Sequence, residues 1–415
     1  MSLRNPALPA LTCPAGDPEK LRAAVRFGAD EVYLSGKIFG MRSACGNFTA
    51  QELADAVAYA HAHGVRVNVT VNTMPRYDEY DALERYLGSL AEIRPDALIV
   101  ADLGVLALAK ELAPGIELHV STQAGAVSHA DCNFWASYGA SRVVLARELS
   151  FEDIAAIRAR IPSELELECF IHGAMCVSFS GRCLLSENLV GRDGNRGMCA
   201  QPCRWNYHVY EIEEEKRPGL RFPIVENDRG TFIMSSRDMC MIEHIDDLMR
   251  SGIASFKIEG RIKSAYYTAV TANAYRMAID AYLRDPEHYV FDARLNAELD
   301  SVSHREYCTG YYYDKPGENA QIVTQPGYIR EKAYLAIVTD YDEKTGRATF
   351  IQRNKLVEGE RAELLTPGKV GQSVVVSELE NEEGERIESA PHPNMIFSAK
   401  MPFAVKEGDI LRSAQ

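Results

Sequence analysis

Thr49–Val71 reads TAQELADAVAYAHAHGVRVNVTV, a complete helix–turn–strand unit. Thr49 is a helix cap, the helix runs to His63, and Gly64 closes it. Val65–Val71 then alternates branched apolar and polar residues, the two-residue period of a strand. The same rhythm continues in both directions. Upstream, Leu8–Cys13 (LPALTC) is strand one, and Asp17-Pro18 opens a helix through Leu21, Val25 and Phe27 that Gly28 ends. Glu31–Leu34 (EVYL) is strand two, which makes VRVNVTV strand three. Downstream, a helix around Tyr80–Ile93 leads to strand four, Ala97–Val100, and a helix over Asp102–Leu112 leads to strand five, Glu117–Ser121. A helix over Cys132–Tyr138 precedes strand six, Arg142–Leu145. Ser150 caps the helix to Arg160 before strand seven, Leu165–Phe170. After a long polar insertion, a helix over Glu243–Arg250 precedes strand eight, Ala254–Ile258, and the helix Ser264–Leu283 follows.

Eight strands, each followed by a helix, predict an α/β fold of the (β/α)8 TIM-like barrel type. A doubly wound sheet rarely needs eight consecutive units, and CPAGDP after strand one is not the G-x-G-x-x-G of a dinucleotide site. The barrel with its Cys-rich loop (174–240) is expected over 1–284, and an aromatic, polar connector wrapping it over 285–330. Residues 331–415 carry short alternating segments such as YLAIVTDY, RATFIQR and QSVVVSEL, which predict a small C-terminal antiparallel β-barrel domain.

Barrel sites lie at the C-terminal ends of the strands. Residues read there are Cys13, Asn72, Asp102, Ser121, Gln123, Arg147, His172, Lys257, Glu259 and Arg261. His172, Lys257, Glu259 and Arg261 are the expected catalytic groups, and Asn72, Gln123, Arg147 and Arg204 the expected substrate contacts. Salt bridges of Lys257, Arg261 and Arg147 with strand-end acids such as Glu168 and Glu259 are the structural alternative, as is a hydrogen-bonded structural role for His172.

The stretch Glu168–Cys203, the end of strand seven and the insertion that follows it, holds five of the chain's ten cysteines. Cys176 and Cys183 are separated by six residues, and Cys199 and Cys203 by three. The Ser, Gly, Asn, Arg and Asp between them form loop, so these thiols are not there for packing. Four loop thiolates can converge on a soft metal or an iron–sulfur cluster. Structural zinc is the alternative; Cys199/Cys203 has zinc spacing and Cys176/Cys183 does not.

Net charge is −14, which argues against a protein that coats nucleic acid. The loop nevertheless offers Arg182, Arg192, Arg196 and Arg204 against Glu187 and Asp193, either a phosphate-facing patch or a solvated surface. No apolar run reaches membrane-spanning length, and the Pro-broken N-terminus is no signal peptide, so a cytoplasmic setting without membrane contact is expected. A protein partner or homo-oligomer stays open.

The stretch Glu168-x-Phe170-x-x-Gly173-Ala174-Met175-Cys176, continuing through Gly181, Cys183, Leu185 and Ser186, resembles the signature of peptidase family U32, the collagenase-like "peptidases". CPAG at Cys13–Gly16, RWNY at Arg204–Tyr207 and FKIEGRIKSAYY at Phe256–Tyr267 resemble it as well. The resemblance spans essentially the whole chain. It is closest to the branch of tRNA 5-hydroxyuridine hydroxylation proteins, and it implies an oxygen-independent hydroxylase with a [4Fe-4S] cluster, tRNA as substrate and prephenate as oxygen donor. It also implies Cys176, Cys183, Cys199 and Cys203 as ligands, with Cys240 as rival for the fourth place. Two other classes stand beside it. A peptidase lacks support from the residues, since no H-E-x-x-H occurs and clustered thiols are poor nucleophiles. A zinc-stabilised RNA-binding protein would leave the polar strand ends unused.

Overall fold

In the computed structural model of the protein, the described residues are 8–42, 45–176, 178–205, 225–227, 230–232, 236–314, 329 and 331–414. The expected Cys-rich loop and connector therefore lie partly outside the described residues. Two compact units are present: Met1–Pro18 with Asp30–Ile262 and His304–Tyr328, and Glu19–Ala29 with Lys263–Ser303 and Ile329–Gln415.

The first unit is built on a closed parallel barrel. Its strands are β1 (Ala10–Pro14), β2 (Glu31–Ser35), β3 (Arg66–Val71), β4 (Ala97–Val100), β5 (Glu117–Val120), β6 (Arg142–Val144), β7 (Glu166–Ala174) and β8 (Ser255–Ile258). Each pairs with its neighbour in that order, and β8 closes the ring by pairing with both β1 and β7. Between the strands of this unit run α2 (Ala50–Ala62), α3 (Tyr80–Ile93), α4 (Leu103–Leu112), α5 (His129–Ser137) and α6 (Phe151–Arg158). α7 (Leu185–Val190) lies in the cysteine loop and α8 (Ile245–Arg250) precedes β8.

Local chemistry sets these boundaries. Thr49 and Ser150 each form a reciprocal capping box, with Glu52 and Asp153 returning the bond. Asp102 accepts from the Gly104 and Val105 amides. On β3 the valines at 67, 69 and 71 are fully buried, which stabilises by about 1.5–3 kcal/mol per side chain.

β7 runs four residues past its expected end. Its extension, His172–Ala174, pairs antiparallel with a short strand, Asp238–Cys240, which pairs in turn with Tyr307–Cys308. Asp238 also binds the buried Arg305 (Oδ1 to Nε 2.8 Å), so this stretch is fixed by a buried ion pair. The β7–β8 register shifts between Lys257 and Ile258, a bulge at the mouth of the barrel.

The second unit holds α1 (Pro18–Arg26), α9 (Ala265–Arg284, capped by Ser264) and α10 (Arg294–Asp300). Its sheet contains β9 (Tyr334–Asp342), β10 (Arg347–Gln352), β11 (Arg361–Leu365), β12 (Gln372–Val375), β13 (Ser377–Asn381), β14 (Ile396–Lys400) and β15 (Ile410–Ser413). The antiparallel order is β12-β11-β15-β9-β10-β14-β13, and among the described residues no pairing joins the two edges, so the domain is a half-barrel. Phe350 and Phe397 stack at 5.1 Å inside it. Buried Arg412 binds Glu298 of α10 (2.7 Å) and Glu363 (2.8 Å). Among the described residues no helix is long and apolar enough to cross a membrane.

Candidate functional site

A barrel wrapped in helices needs apolar residues facing out, so polar residues at alternate strand positions must face in. Strands β2, β3, β5, β6 and β7 obey this. The centre of the barrel is occupied by Arg142 of β6, fully buried. Its guanidinium donates to Glu31 (Nη1 2.6 Å, Nη2 3.0 Å), Glu168 (2.9 Å) and Glu166 (Nε 2.8 Å). Asn68 donates to Glu31 (2.9 Å), Ser255 to Glu168 (2.9 Å), and Lys257 pairs with the other Glu168 oxygen at 2.5 Å. Burial pushes both carboxyls up. Arg142 for Glu31, and Lys257 with Arg142 for Glu168, outweigh it and hold them below the usual carboxylate range.

Above this layer, at the C-terminal ends of the strands, is a cavity of about 50 Å3. It is lined by Tyr33, Arg42, Thr70, Asn72, Ser121, Gln123, Arg147, Phe170, Lys257, Glu259 and Arg261, among others. Four cations thus face one lining carboxylate. Lys257 Nζ lies 4.2 Å from the Tyr33 ring centre and the Arg147 guanidinium 3.9 Å from that of Phe170, positions where ring faces attract cations. Arg147 also donates to the Ala174 carbonyl (2.8 Å) and to Glu259 (3.2 Å). Arg42 lies 3.9 Å from Glu259. Burial raises the Glu259 carboxyl, but Arg42, Arg147, Arg261 and Lys257 together hold it low, so it stays ionised. Arg261 donates to the Met41 carbonyl, and the Met41 amide donates to Asn72 Oδ1 (3.0 Å).

Of the residues read from sequence, the cavity gathers Asn72, Ser121, Gln123, Arg147, Lys257, Glu259 and Arg261. His172 is elsewhere: 1% exposed, opposite Cys240 in the strand pair, with its ring 5.4 Å from Tyr307. Arg204 belongs to the short turn Pro202–Arg204, and its side chain is outside the described residues.

The cysteine loop is stapled to the other mouth loops. Ser180 donates from its amide (2.6 Å) and hydroxyl (2.8 Å) to Glu148 after β6. Arg182 donates to the Gln123 and Ala124 carbonyls after β5, and Arg196 pairs with Glu79 after β3 at 2.5 Å. Arg192 donates to the Met198 carbonyl (3.0 Å). Of the four arginines that offer a patch for phosphates or a solvated surface, Arg182 and Arg196 hold the loop to its neighbours, and Arg192 braces it internally.

No disulfide joins any of the ten cysteines. Cys132 and Cys169 belong to the core, where burial pushes their thiols up, that of Cys132 to about 11. The loop thiols differ. Cys176 and Cys199 are exposed, and Cys183, Cys203 and Cys240 half-buried. Cys183 Sγ accepts the Leu185 amide and Cys199 Sγ the Gln201 amide, each at 3.3 Å, so amide donors already face the sulfurs as thiolate ligands require. Asn195 clasps the Cys183 backbone from both sides (3.0 Å each). The donor set fits a soft metal or cluster in chemistry. Among the described residues no three His, Cys, Asp or Glu side chains are already gathered around one metal position.

Arg42 escaped sequence reading because it sits in an irregular turn with no periodic signal. Glu31 and Arg142 were readable in principle, as polar first residues of β2 and β6.

The sequence pattern of Peptidase family U32 matches residues 16–322, and that of the Peptidase family U32 C-terminal domain matches residues 330–412. The chain belongs to peptidase family U32. Among its U32 relatives, "tRNA hydroxylation protein P1" of Bacillus subtilis (strain 168) is 35% identical over 407 residues, covering 98% of this chain and 95% of the relative. "tRNA hydroxylation protein P" of Escherichia coli (strain K12) is 34% identical over 421 residues, covering 92% and 91%. A "Collagenase" of Porphyromonas gingivalis is 33% identical over 351 residues, covering 82% of each.

Proposed function

We propose that this U32 chain is an iron–sulfur-dependent, oxygen-independent RNA hydroxylase that converts the wobble uridine of tRNA to 5-hydroxyuridine, with prephenate as oxygen donor. The observation that carries the reading is a cationic barrel mouth stapled beneath a thiol-bearing loop. The names of its near full-length relatives, tRNA hydroxylation proteins, agree with it.

The residues divide the work by their chemistry. Four cations against one carboxylate favour a dianion such as a dicarboxylate. Arg147 and Arg261 have planar donor pairs suited to a carboxylate, while Lys257, held by Glu168, acts as a point charge. Tyr33 and Phe170 present ring faces to these cations and wall the cavity for a planar base. The cavity has room for only a few waters at about 50 Å3, so the mouth loops must part for an unstacked base. A cluster held by Cys176, Cys183, Cys199 and Cys203, or by Cys240 as fourth ligand, would supply electron transfer beside the cavity.

The test is mass spectrometry of tRNA nucleosides from cells with and without this chain. The proposal requires 5-hydroxyuridine to depend on the chain. Unchanged tRNA together with cleavage of a collagen peptide would move the peptidase reading to first place. Unchanged tRNA that binds a zinc-containing protein would favour the RNA-binding scaffold.

A further inference from the structure

We propose that Arg42, with the turn Gly40–Arg42 that carries it, ties anion binding in the cavity to the placement of the thiol loop, so that a dicarboxylate in the mouth orders the segment bearing Cys199. This rests on the anion-binding reading of the cavity given above.

Two sets of contacts meet in that turn. On the cavity side, Arg42 lines the cavity and reaches toward Glu259, the Met41 carbonyl takes the Arg261 guanidinium, and the Met41 amide donates to Asn72. On the loop side, Gly197, two residues before Cys199, lies against the same turn at φ +86°. A Cβ there would come within 3.0 Å of the Arg42 amide nitrogen, 3.1 Å of the Gly40 carbonyl oxygen and 3.2 Å of Met41 Cα. The loop therefore seats on backbone, with no room for a side chain.

The turn itself is held in an unusual shape. Phe39 (φ 58°) and Arg42 (φ 75°) are both left-handed, a conformation that non-glycine residues keep only when their surroundings impose it. Those surroundings are the cavity groups on one side and Gly197 on the other. The electrostatics agree. Burial works against the Arg42 charge, but Glu259, Tyr33, Cys176 and Cys199 all favour it, so its guanidinium lies within the fields of both sites. An anion that draws Arg42 inward then acts on the seat of the loop. Arg42 is on this account a positioning residue, shared by the two sites.

The test uses the full chain carrying Trp135→Phe, so that Trp205 of the loop reports alone. Trp205 is 38% exposed, and its indole N–H donates to the Ala200 carbonyl (3.0 Å). Malonate is the probe, its binding followed by calorimetry and the loop by acrylamide quenching of Trp205. Bound malonate is expected to slow that quenching. Arg42→Ala is expected to weaken malonate binding about tenfold, the loss of one charge-assisted hydrogen bond, and to leave quenching unresponsive. Arg42→Lys, which keeps the charge, is expected to recover most of the affinity. Gly197→Ala, which leaves the Arg42 side chain in place, is expected to weaken malonate binding less than Arg42→Ala does, by the coupling alone, while quenching no longer responds. If bound malonate leaves Trp205 quenching unchanged in the parent, or changes it equally in Arg42→Ala and Gly197→Ala, the link is overturned and the anion site stands. If the parent binds no malonate, both the link and the anion-binding reading fall.

Discussion

Replacing Arg142 by methionine should invert the pH dependence of the barrel's stability. Arg142 is fully buried and supplies Glu31 with its two shortest charged contacts, at 2.6 and 3.0 Å; the next cation, Arg66, is 3.8 Å away. Glu168 keeps Lys257. Methionine fills most of the volume but takes from Glu31 its two charged hydrogen bonds, leaving the neutral Asn68 amide at 2.9 Å and the Arg66 guanidinium at 3.8 Å. Breaking a buried pair this way costs about 3–5 kcal/mol at neutral pH, against a total stability of roughly 5–15. In a unit of this size that lowers the melting temperature by roughly 10 °C. In the parent, Glu31 and Glu168 titrate below their usual range, so their contribution is complete above about pH 4.5 and is lost as pH falls further. Buried His119, lowered by burial and by Arg142, adds a loss of stability below about pH 6.5 in the same direction. In Arg142→Met, burial at Glu31 outweighs what Arg66 and His119 still contribute, and its folded pKa rises above the unfolded value. The folded state then binds the extra proton, and stability increases as pH falls from 8 toward 5. Thermal melts followed by circular dichroism over that range read the sign directly. A variant as stable as the parent at pH 7.5, or one whose melting temperature falls with pH as the parent's does, would refute the reasoning.

Thr49→Ala and Ser150→Ala each remove a capping box from a separate helix, and each should cost about 1 kcal/mol in urea unfolding, nearly additively in the double variant. Phe350→Ala empties a fully buried position stacked on Phe397 and should destabilise the C-terminal unit by about 3–5 kcal/mol, read as an earlier transition in denaturant. Arg147→Lys loses the fork that spans Ala174 and Glu259 and the stack on Phe170, so the proposed hydroxylation should fall about tenfold or more while the iron content of the proposed cluster stays constant.

The barrel was legible because its signals are local. Caps at Thr49 and Ser150, the apolar stripe of α3 at Tyr80–Ile93 and the short runs of β4 and β8 each depend on neighbours within a turn or two. What stayed hidden depends on distant partners. The last residues of β7 are held by Asp238–Cys240, and nothing near Ile171 announces that strand. The polar interior was written in VRVNVTV, yet that alternation also describes a half-solvated strand; only closure of the ring turns Asn68 and Thr70 inward. The loop arginines were ambiguous because their partners, the Gln123 carbonyl and Glu79, belong to other strand ends. Arg42 gave no periodic signal, since its role follows from a left-handed turn between two sites.

The central claim, a redox cluster in the thiol loop beside the cationic mouth, is met most directly by iron, sulfide and zinc content of protein purified without oxygen. The account predicts about four iron and four sulfide per chain, as expected for four-cysteine ligation, lost on Cys183→Ala or Cys199→Ala. One zinc per chain with no sulfide would contradict it.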